Sequence, residues 1–326
     1  MNLNKTMFAR SDIYGMGTVI SNTVSGKQAA RALKAAEAEI VKLESQLSRF
    51  IAGSEISRIN NSAGTCYERV SLKTCRLLSR AVDFSRLCPG CFDITVGPLT
   101  SLWRKSMDTS MPPDKSKILE LLPLVDYTCL ALEHDTGMVC LKNAGQSIDL
   151  GGIGKGFAAD LILEVFKKYG ISSAMTNFGG NVAVMGTKPD GAPWNIGICH
   201  PRRDDCLIGT VSVAHKSVVT SGDYQKYFID RRGKRHHHIL NPLTGYPAES
   251  GLISTTIVAD SSADADALST IMFIAGTAGG LRLLKLFPGT EAVLVDTDLK
   301  VCATSGLKGH FRACEGIEVD FLASED

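Results

Sequence analysis

Neither sign of charge is in surplus. Lysine and arginine number 35 against 34 aspartates and glutamates, a formal net charge of +1 at pH 7, so no basic excess argues for a nucleic-acid partner. No run of 18 or more apolar residues occurs, and no membrane-spanning helix is expected. Met1 to Ser11 lack the apolar core of a signal peptide, and no lipid-attachment cysteine lies near them. The ten cysteines lack the spacing of a disulfide framework, which in a chain this long points to a reducing compartment. The expected location is cytoplasmic, unless a leader has been removed. No internal repeat, low-complexity stretch or clear linker divides the chain. Residues 1–326 therefore read as a single domain, or as two intertwined subdomains.

What is present is the composition of an ordinary globular protein, 44% hydrophobic and 21% charged over 326 residues, enough for a sizeable core. Residues 13–24 read as a first strand bent at Met16-Gly17-Thr18. Leu33, Ala36, Ile40, Leu43 and Leu47 recur at three- and four-residue steps and predict an amphipathic helix over 27–48. Phe50 follows it, by default a core aromatic and otherwise an exposed ring in a loop. Ser71 reads as the N-cap of a helix ending near Leu87. Residues 92–99 read as a strand entering a Gly-Pro turn, and 128–133 with 138–141 as a hairpin. Further strands are expected over 174–185, 194–199, 208–214, 217–220 and 252–258, helices over 261–275 and 279–287, and a closing hairpin.

Three stretches carry chemistry. In the first, residues 219–247, alternation along a strand puts His236 and His238 on one face and His237 on the other. Asn241-Pro242 and Thr244-Gly245-Tyr246-Pro247 stiffen the exit, and His238 lies nearest to it. His236 sits closer to a charged hairpin tip, where exposure loosens its geometry; the competing reading is a solvated basic strand. In the second, SIDLGGIGKGFAAD at 147–160, a short strand enters a helix (157–169) through a glycine-rich turn. Amides at such a turn favour a phosphate, and Lys155 adds a cation. Gly156 follows the lysine where a Walker A loop needs Ser or Thr. No acid ends the next strand, so the Gly154-x-Gly156 spacing reads as a phosphate turn rather than a Rossmann fingerprint.

The third is the helix of Ser261 to Ala275, on which Asp266 and Thr270 share one face, read as exposed. They suit a hard cation such as magnesium, or else form an acidic first turn favoured by the helix dipole. Two smaller features stay open. Cys88-Pro89-Gly90-Cys91 has redox or zinc spacing but no second pair, and Asp93 is an acid among apolar neighbours, either satisfied by backbone donors or functional.

Four segments in register, MGTVIS (16–21), CFDITVGPL (91–99), IDLGGIGKGFAAD (148–160) and the run from TSGDY through HHHILNPLTGYP to ADALST (220–270), resemble the FAD:protein FMN transferases, the ApbE-like flavin transferases. The resemblance covers nearly the whole chain. It implies an α+β fold, mainly antiparallel sheet with packed helices, of ApbE-like (T-fold-like) architecture. It places Met16, Phe50, Cys91, Phe92, Asp93, Asp149, Lys155 and Leu240 on FAD-contacting positions, with Phe50 stacking on the isoalloxazine. Gly152 (through its carbonyl), Asp266 and Thr270 fall on magnesium ligands, and His238 on the catalytic histidine. The chain departs from the family in Asn241 where Asp is usual, Cys91 where a small residue is usual, and Gly154 where Ala is usual.

The implied reaction uses FAD as substrate and Mg²⁺ as cofactor. A Thr or Ser hydroxyl of an acceptor protein attacks the FMN phosphorus of FAD; AMP leaves, and His238 takes the proton. A magnesium-dependent FAD pyrophosphatase and a non-catalytic flavin-binding protein are the alternatives.

Overall fold

The computed structural model describes residues 8–322; the reading of Met1 to Ser11 falls mostly outside them. β1 (Ala9–Gly15) and β2 (Thr18–Ser25) form a tight hairpin. The single bent strand expected over 13–24 is therefore two strands. Met16 and Gly17 take φ of 52° and 76°, the positive pair that a two-residue hairpin turn demands. α1 (Ala29–Leu47) buries Ala32, Leu33, Ala36, Ile40, Leu43 and Leu47 along one stripe, as its periodicity predicts. α2 (Glu55–Asn61), β3 (Glu68–Arg69) and α3 (Leu72–Leu87) follow, and Ser71 caps α3 by accepting from the Thr74 N–H.

The strand expected over 92–99 does not form. Asp93 accepts hydrogen bonds from the Thr95 N–H (2.8 Å) and hydroxyl (2.6 Å) and turns the chain. Pro98 then stands in the first turn of α4 (Gly97–Thr109), where a missing N–H leaves nothing unpaired. After α5 (Lys115–Leu121), β4 (Leu130–Glu133) and β5 (Met138–Leu141) pair with β3 in a small sheet. α6 (Gly154–Lys168) starts three residues before the expected 157. The short strand expected to precede it is only a parallel bridge between Ser147 and Val96.

The rest is mainly strand: β6 (Ser173–Phe178), β7 (Asn181–Met185), β8 (Trp194–Cys199), β9 (Leu207–Val213), β10 (Ser217–Gly222), β11 (Tyr227–Ile229), β12 (Arg235–His237) and β13 (Leu252–Ala259). α7 (Ser262–Leu284), β14 (Glu291–Asp296), β15 (Val301–Thr304), β16 (Phe311–Ala313) and β17 (Val319–Leu322) complete the chain. The main sheet runs β1-β2-β6-β7-β10-β13-β14-β15-β17, with only β15 and β17 parallel. The fold is α+β, as the resemblance implies.

Alternation divides the core. Val219 and Ile257 face the cluster shared with α1, α6 and α7, while Val218 and Val258 face Trp194, Ile196 and Val211 of the sheet β16-β9-β8. The two helices expected over 261–275 and 279–287 form, and they meet without a loop at Gly276, whose φ of 73° and ψ of 176° are not helical; together they are α7. Among the described residues it alone has the length and apolar composition to cross a bilayer. It lies inside the fold against α6, β10 and β13.

Candidate active site

α6 and α7 lock each other by exchanging caps. From α6, Asp160 accepts from the Ser262 and Ala263 N–H groups (2.8 and 3.0 Å) and from the Ser261 hydroxyl (2.9 Å), covering the free amides that start α7. From α7, Asp266 returns a bond to the Gly156 N–H at 2.9 Å through Oδ2. A Cβ on Gly156 would stand 2.1 Å from the Ser262 carbonyl oxygen, so glycine is what lets the helix starts meet. Asp266 is consequently 3% exposed, not the exposed helix-face carboxylate expected. Side-chain period places it toward α7's stripe; only the partner helix makes it buried. Asp160, which carries half of this lock, was legible only as the last letter of the glycine-turn motif.

The glycine turn closes the same corner. A Cβ on Gly152 would meet Thr270 Oγ1 at 3.4 Å and the Phe92 ring at 3.1 Å, so this backbone passes directly over both. Thr270 Oγ1 lies 3.3 Å from Ser221 Oγ of β10, and Ser221 also bonds Ser269 at 2.8 Å. Ser221 is an oxygen that sequence reasoning passed over, although it is the second residue of the TSGDY segment. No described hydrogen bond reaches Asp266 Oδ1. One carboxylate, two hydroxyls and peptide oxygens make a hard-donor set that fits magnesium. Among the described residues no three His, Cys, Asp or Glu side chains gather as a cage, so such a cation would also draw on water and substrate phosphate.

Asp149 braces the turn from below. Its Oδ1 accepts from the Gly151 N–H (2.8 Å), and its Oδ2 meets the Arg49 guanidinium (2.6 Å) and the Thr100 hydroxyl (2.7 Å). Arg49 also reaches Ser101 on α4, and sequence reasoning did not single it out. Asn60 mimics a neighbouring strand, pairing both Ile148 N–H (2.6 Å) and Ile148 carbonyl (3.1 Å). Lys155, in the first turn of α6, donates to Asn181 at 3.3 Å. Asn181 begins β7 just past the Gly179-Gly180 turn, which presses on Thr18 beside Met16. Close contacts thus run from Lys155 through Asn181 and Gly179 to Thr18 in the β1–β2 hairpin.

His238 follows β12 directly. Its N–H and its ring Nδ1 both engage the Lys226 carbonyl, at 3.1 and 3.2 Å. A carbonyl only accepts, so Nδ1 carries the proton and Nε2 keeps its lone pair. Burial pushes the ring's pKa down to about 4, helped by the nearby charges of Lys226 and Lys155. The histidine is therefore neutral at physiological pH, and it lies within electrostatic reach of the glycine-turn lysine.

Its neighbours have other work. His236 is buried rather than loosened at the tip: it stacks on Phe228 (5.0 Å between centroids) and bonds Asp230 at 2.9 Å. His237 faces the other way, its Nε2 on the Ala248 carbonyl (3.0 Å) and its ring edge-on to Phe273.

The remaining positions divide. Phe50 is 65% exposed, with the Arg104 guanidinium 4.2 Å above its ring; the default of a core aromatic does not hold. Phe92 is buried edge-on against Phe84, and Cys91 packs half-buried beside Ile239 and Phe273. Asp93 uses its second oxygen on the Tyr127 N–H at 3.0 Å, so backbone donors satisfy this acid. Leu240 is buried with Leu99, Trp103 and Phe228, and its backbone lies in an antiparallel bridge with Pro247. Burial pushes the Cys88 thiol up to about 11, which disfavours a reactive thiolate at the Cys88–Cys91 turn.

A glycine turn at a helix start, an oxygen-lined corner and a neutral histidine thus stand on a mainly antiparallel α+β frame. The chain belongs to the ApbE family, whose model matches residues 16–294. It is 32% identical over 328 residues to the FAD:protein FMN transferase of Treponema pallidum, covering 94% of this chain and 90% of that one. The FAD:protein FMN transferase of Klebsiella pneumoniae is 33% identical over 261 residues, with 80% of each chain covered. Among solved structures, the ApbE protein of Thermotoga maritima superposes with a TM-score of 0.86 at 30% identity, covering 94% of this chain and all of that one. The apo flavinyl transferase ApbE of Pseudomonas stutzeri gives 0.83 at 27% identity, covering 96% and 100%.

Proposed function

We propose that this chain transfers FMN from FAD to a threonine or serine hydroxyl of an acceptor protein, releasing AMP. The observation that carries the reading is His238, neutral and with Nε2 free. The Lys226 carbonyl fixes its tautomer, and Lys155 of the phosphate turn lies within electrostatic reach. The Gly152 carbonyl, Asp266 and Thr270 would hold magnesium, which when bound offsets charge developing on the pyrophosphate. The Gly151, Ile153, Gly154 and Gly156 N–H groups are spent inside the fold, so Lys155 and the dipole of the α6 start would orient the phosphates of FAD. Nε2 takes the proton of the attacking hydroxyl as its oxygen bonds the FMN phosphorus and the bond to AMP breaks. Mass spectrometry after incubation with FAD, Mg²⁺ and candidate acceptors tests this. An acceptor heavier by one FMN ester supports it, and free FMN plus AMP with no adduct assigns hydrolysis instead.

Three measurements follow from the site. FAD titration quenches flavin fluorescence, and Phe50→Ala weakens affinity about fivefold, the scale of one aromatic contact worth about 1 kcal/mol; unchanged affinity removes Phe50 from the flavin site. On the acid side, kcat/KM stays level from pH 8 to about 5 and falls only as pH nears 4, because the depressed pKa keeps His238 neutral above that value. A half-point at ~6.5, the ordinary histidine value, would contradict the burial argument. We also propose a cytoplasmic setting, supported by ten cysteines that stand as free thiols. Thiol counting on protein from its native host is expected to find most of them reduced, and several native disulfides would overturn it.

A further inference from the structure

The β11–β12 hairpin concentrates charge that the rest of the chain balances. Lys226, Arg231, Arg232, Lys234 and Arg235 stand there against one acid, Asp230, in a chain of net charge +1. Asp230 is already engaged by the Arg232 and Lys234 N–H groups and by His236, each at 2.9 Å. Lys234 meets Glu249 at 2.6 Å, and Arg235 lies 3.7 Å over the Tyr227 ring. Arg231 and Arg232 are exposed at the tip, and neither guanidinium has a described partner. Along β11, Phe228 points inward while Tyr227 and Ile229 are 42% and 51% exposed. β11 hydrogen-bonds only to β12, so its outer edge is open to another strand. The hairpin also ends at the base itself, since the residue before β11, Lys226, is the one that holds His238.

Resting on the transferase reading, we infer that this hairpin docks the acceptor polypeptide, as an extended acidic segment laid along β11 with its hydroxyl delivered to His238. An extended chain covers ~3.3 Å per residue, so the tip arginines meet acidic residues about five positions from the reactive hydroxyl. Cations at a rim act mainly on encounter and on partner choice, and salt screens them.

The test uses a randomised peptide library carrying one threonine, incubated with FAD and Mg²⁺ and sequenced by mass spectrometry. Wild-type protein is compared with the Arg231→Glu/Arg232→Glu double variant. For wild type, Asp and Glu are enriched severalfold in the flavinylated peptides, and the enrichment fades at high salt. In the variant it disappears or inverts toward Lys and Arg, while the thermal midpoint and FAD affinity are unchanged. The same flank preference in both proteins, or neutral flanks in wild type, overturns the docking inference alone. If wild type cleaves FAD to FMN and AMP but labels no peptide, the transferase reading falls and the docking inference with it.

Discussion

His238→Ala loses roughly 10²–10⁴-fold in the rate of FMN transfer, the usual span for a general base, while FAD binding changes by no more than a few-fold. The expectation rests on geometry. With Nδ1–H held by the Lys226 carbonyl at 3.2 Å, the free lone pair belongs to Nε2, and the pKa near 4 keeps it unprotonated. A base with so low a pKa is weak in the Brønsted sense, but it is always in the right form at neutral pH. A magnesium ion held by Asp266 and Thr270 would complement such a base by offsetting charge on the pyrophosphate.

His236→Ala and His237→Ala are the controls, and the structure changes what they control for. Each removes a buried ring with a hydrogen-bonded partner, Asp230 or the Ala248 carbonyl. Both variants therefore lose stability, His237→Ala by about 1–3 kcal/mol because the buried Ala248 carbonyl is left unpaired, yet keep turnover within a few-fold below their melting point. The measurement is single-turnover transfer at saturating FAD for all three, beside thermal midpoints. Near-normal transfer by His238→Ala sinks the assignment.

Much of this site was legible because local rules and tertiary fold agree there. The stripe of Ile40 and Leu43, the cap at Ser71, the amide-rich turn before α6 and the opposite facing of His237 all follow from period and turn chemistry. The failures have a common cause in tertiary partners. Asp93 looked like a lone acid in a strand because its donors, the Thr95 and Tyr127 amides, lie partly in a segment 34 residues away. Residues 92–99 are β-branched enough to suggest a strand, but an acid that turns the chain and a proline placed at a helix start override that preference. Arg49 and Asp160 carry no motif of their own; their importance lies in which backbone and side-chain atoms they reach across the fold. Asp266 is the instructive case, since helix period gives its angular position but cannot say that α6 arrives to cover it.

Burial of that carboxylate sets the design of the second large expected effect. Asp266→Ala abolishes magnesium-dependent turnover, and it also destabilises the protein, because the Gly156 N–H loses its acceptor at a closely packed helix junction. The stability cost is about 1–3 kcal/mol for an unpaired buried donor, so loss of activity by this variant alone would leave misfolding as an explanation. Asp266→Asn separates the two roles. Its amide oxygen keeps the bond to Gly156 and its volume is unchanged, so the thermal midpoint stays close to wild type. What it lacks is the negative charge, in a corner whose other candidate ligands, the Gly152 carbonyl and the Thr270 hydroxyl, are neutral. A hard divalent cation held by one carboxylate depends on that charge more than on any geometric detail. Asp266→Asn therefore folds, binds FAD, and turns over at least ~10²-fold slower than wild type at 1 mM Mg²⁺, a loss of the size seen when one group stabilising transition-state charge is removed. Raising the magnesium concentration recovers part of the rate, which a merely structural aspartate would not allow. Full activity of this variant, or wild-type activity that survives EDTA, would remove the metal from the mechanism and leave Asp266 as a helix lock alone.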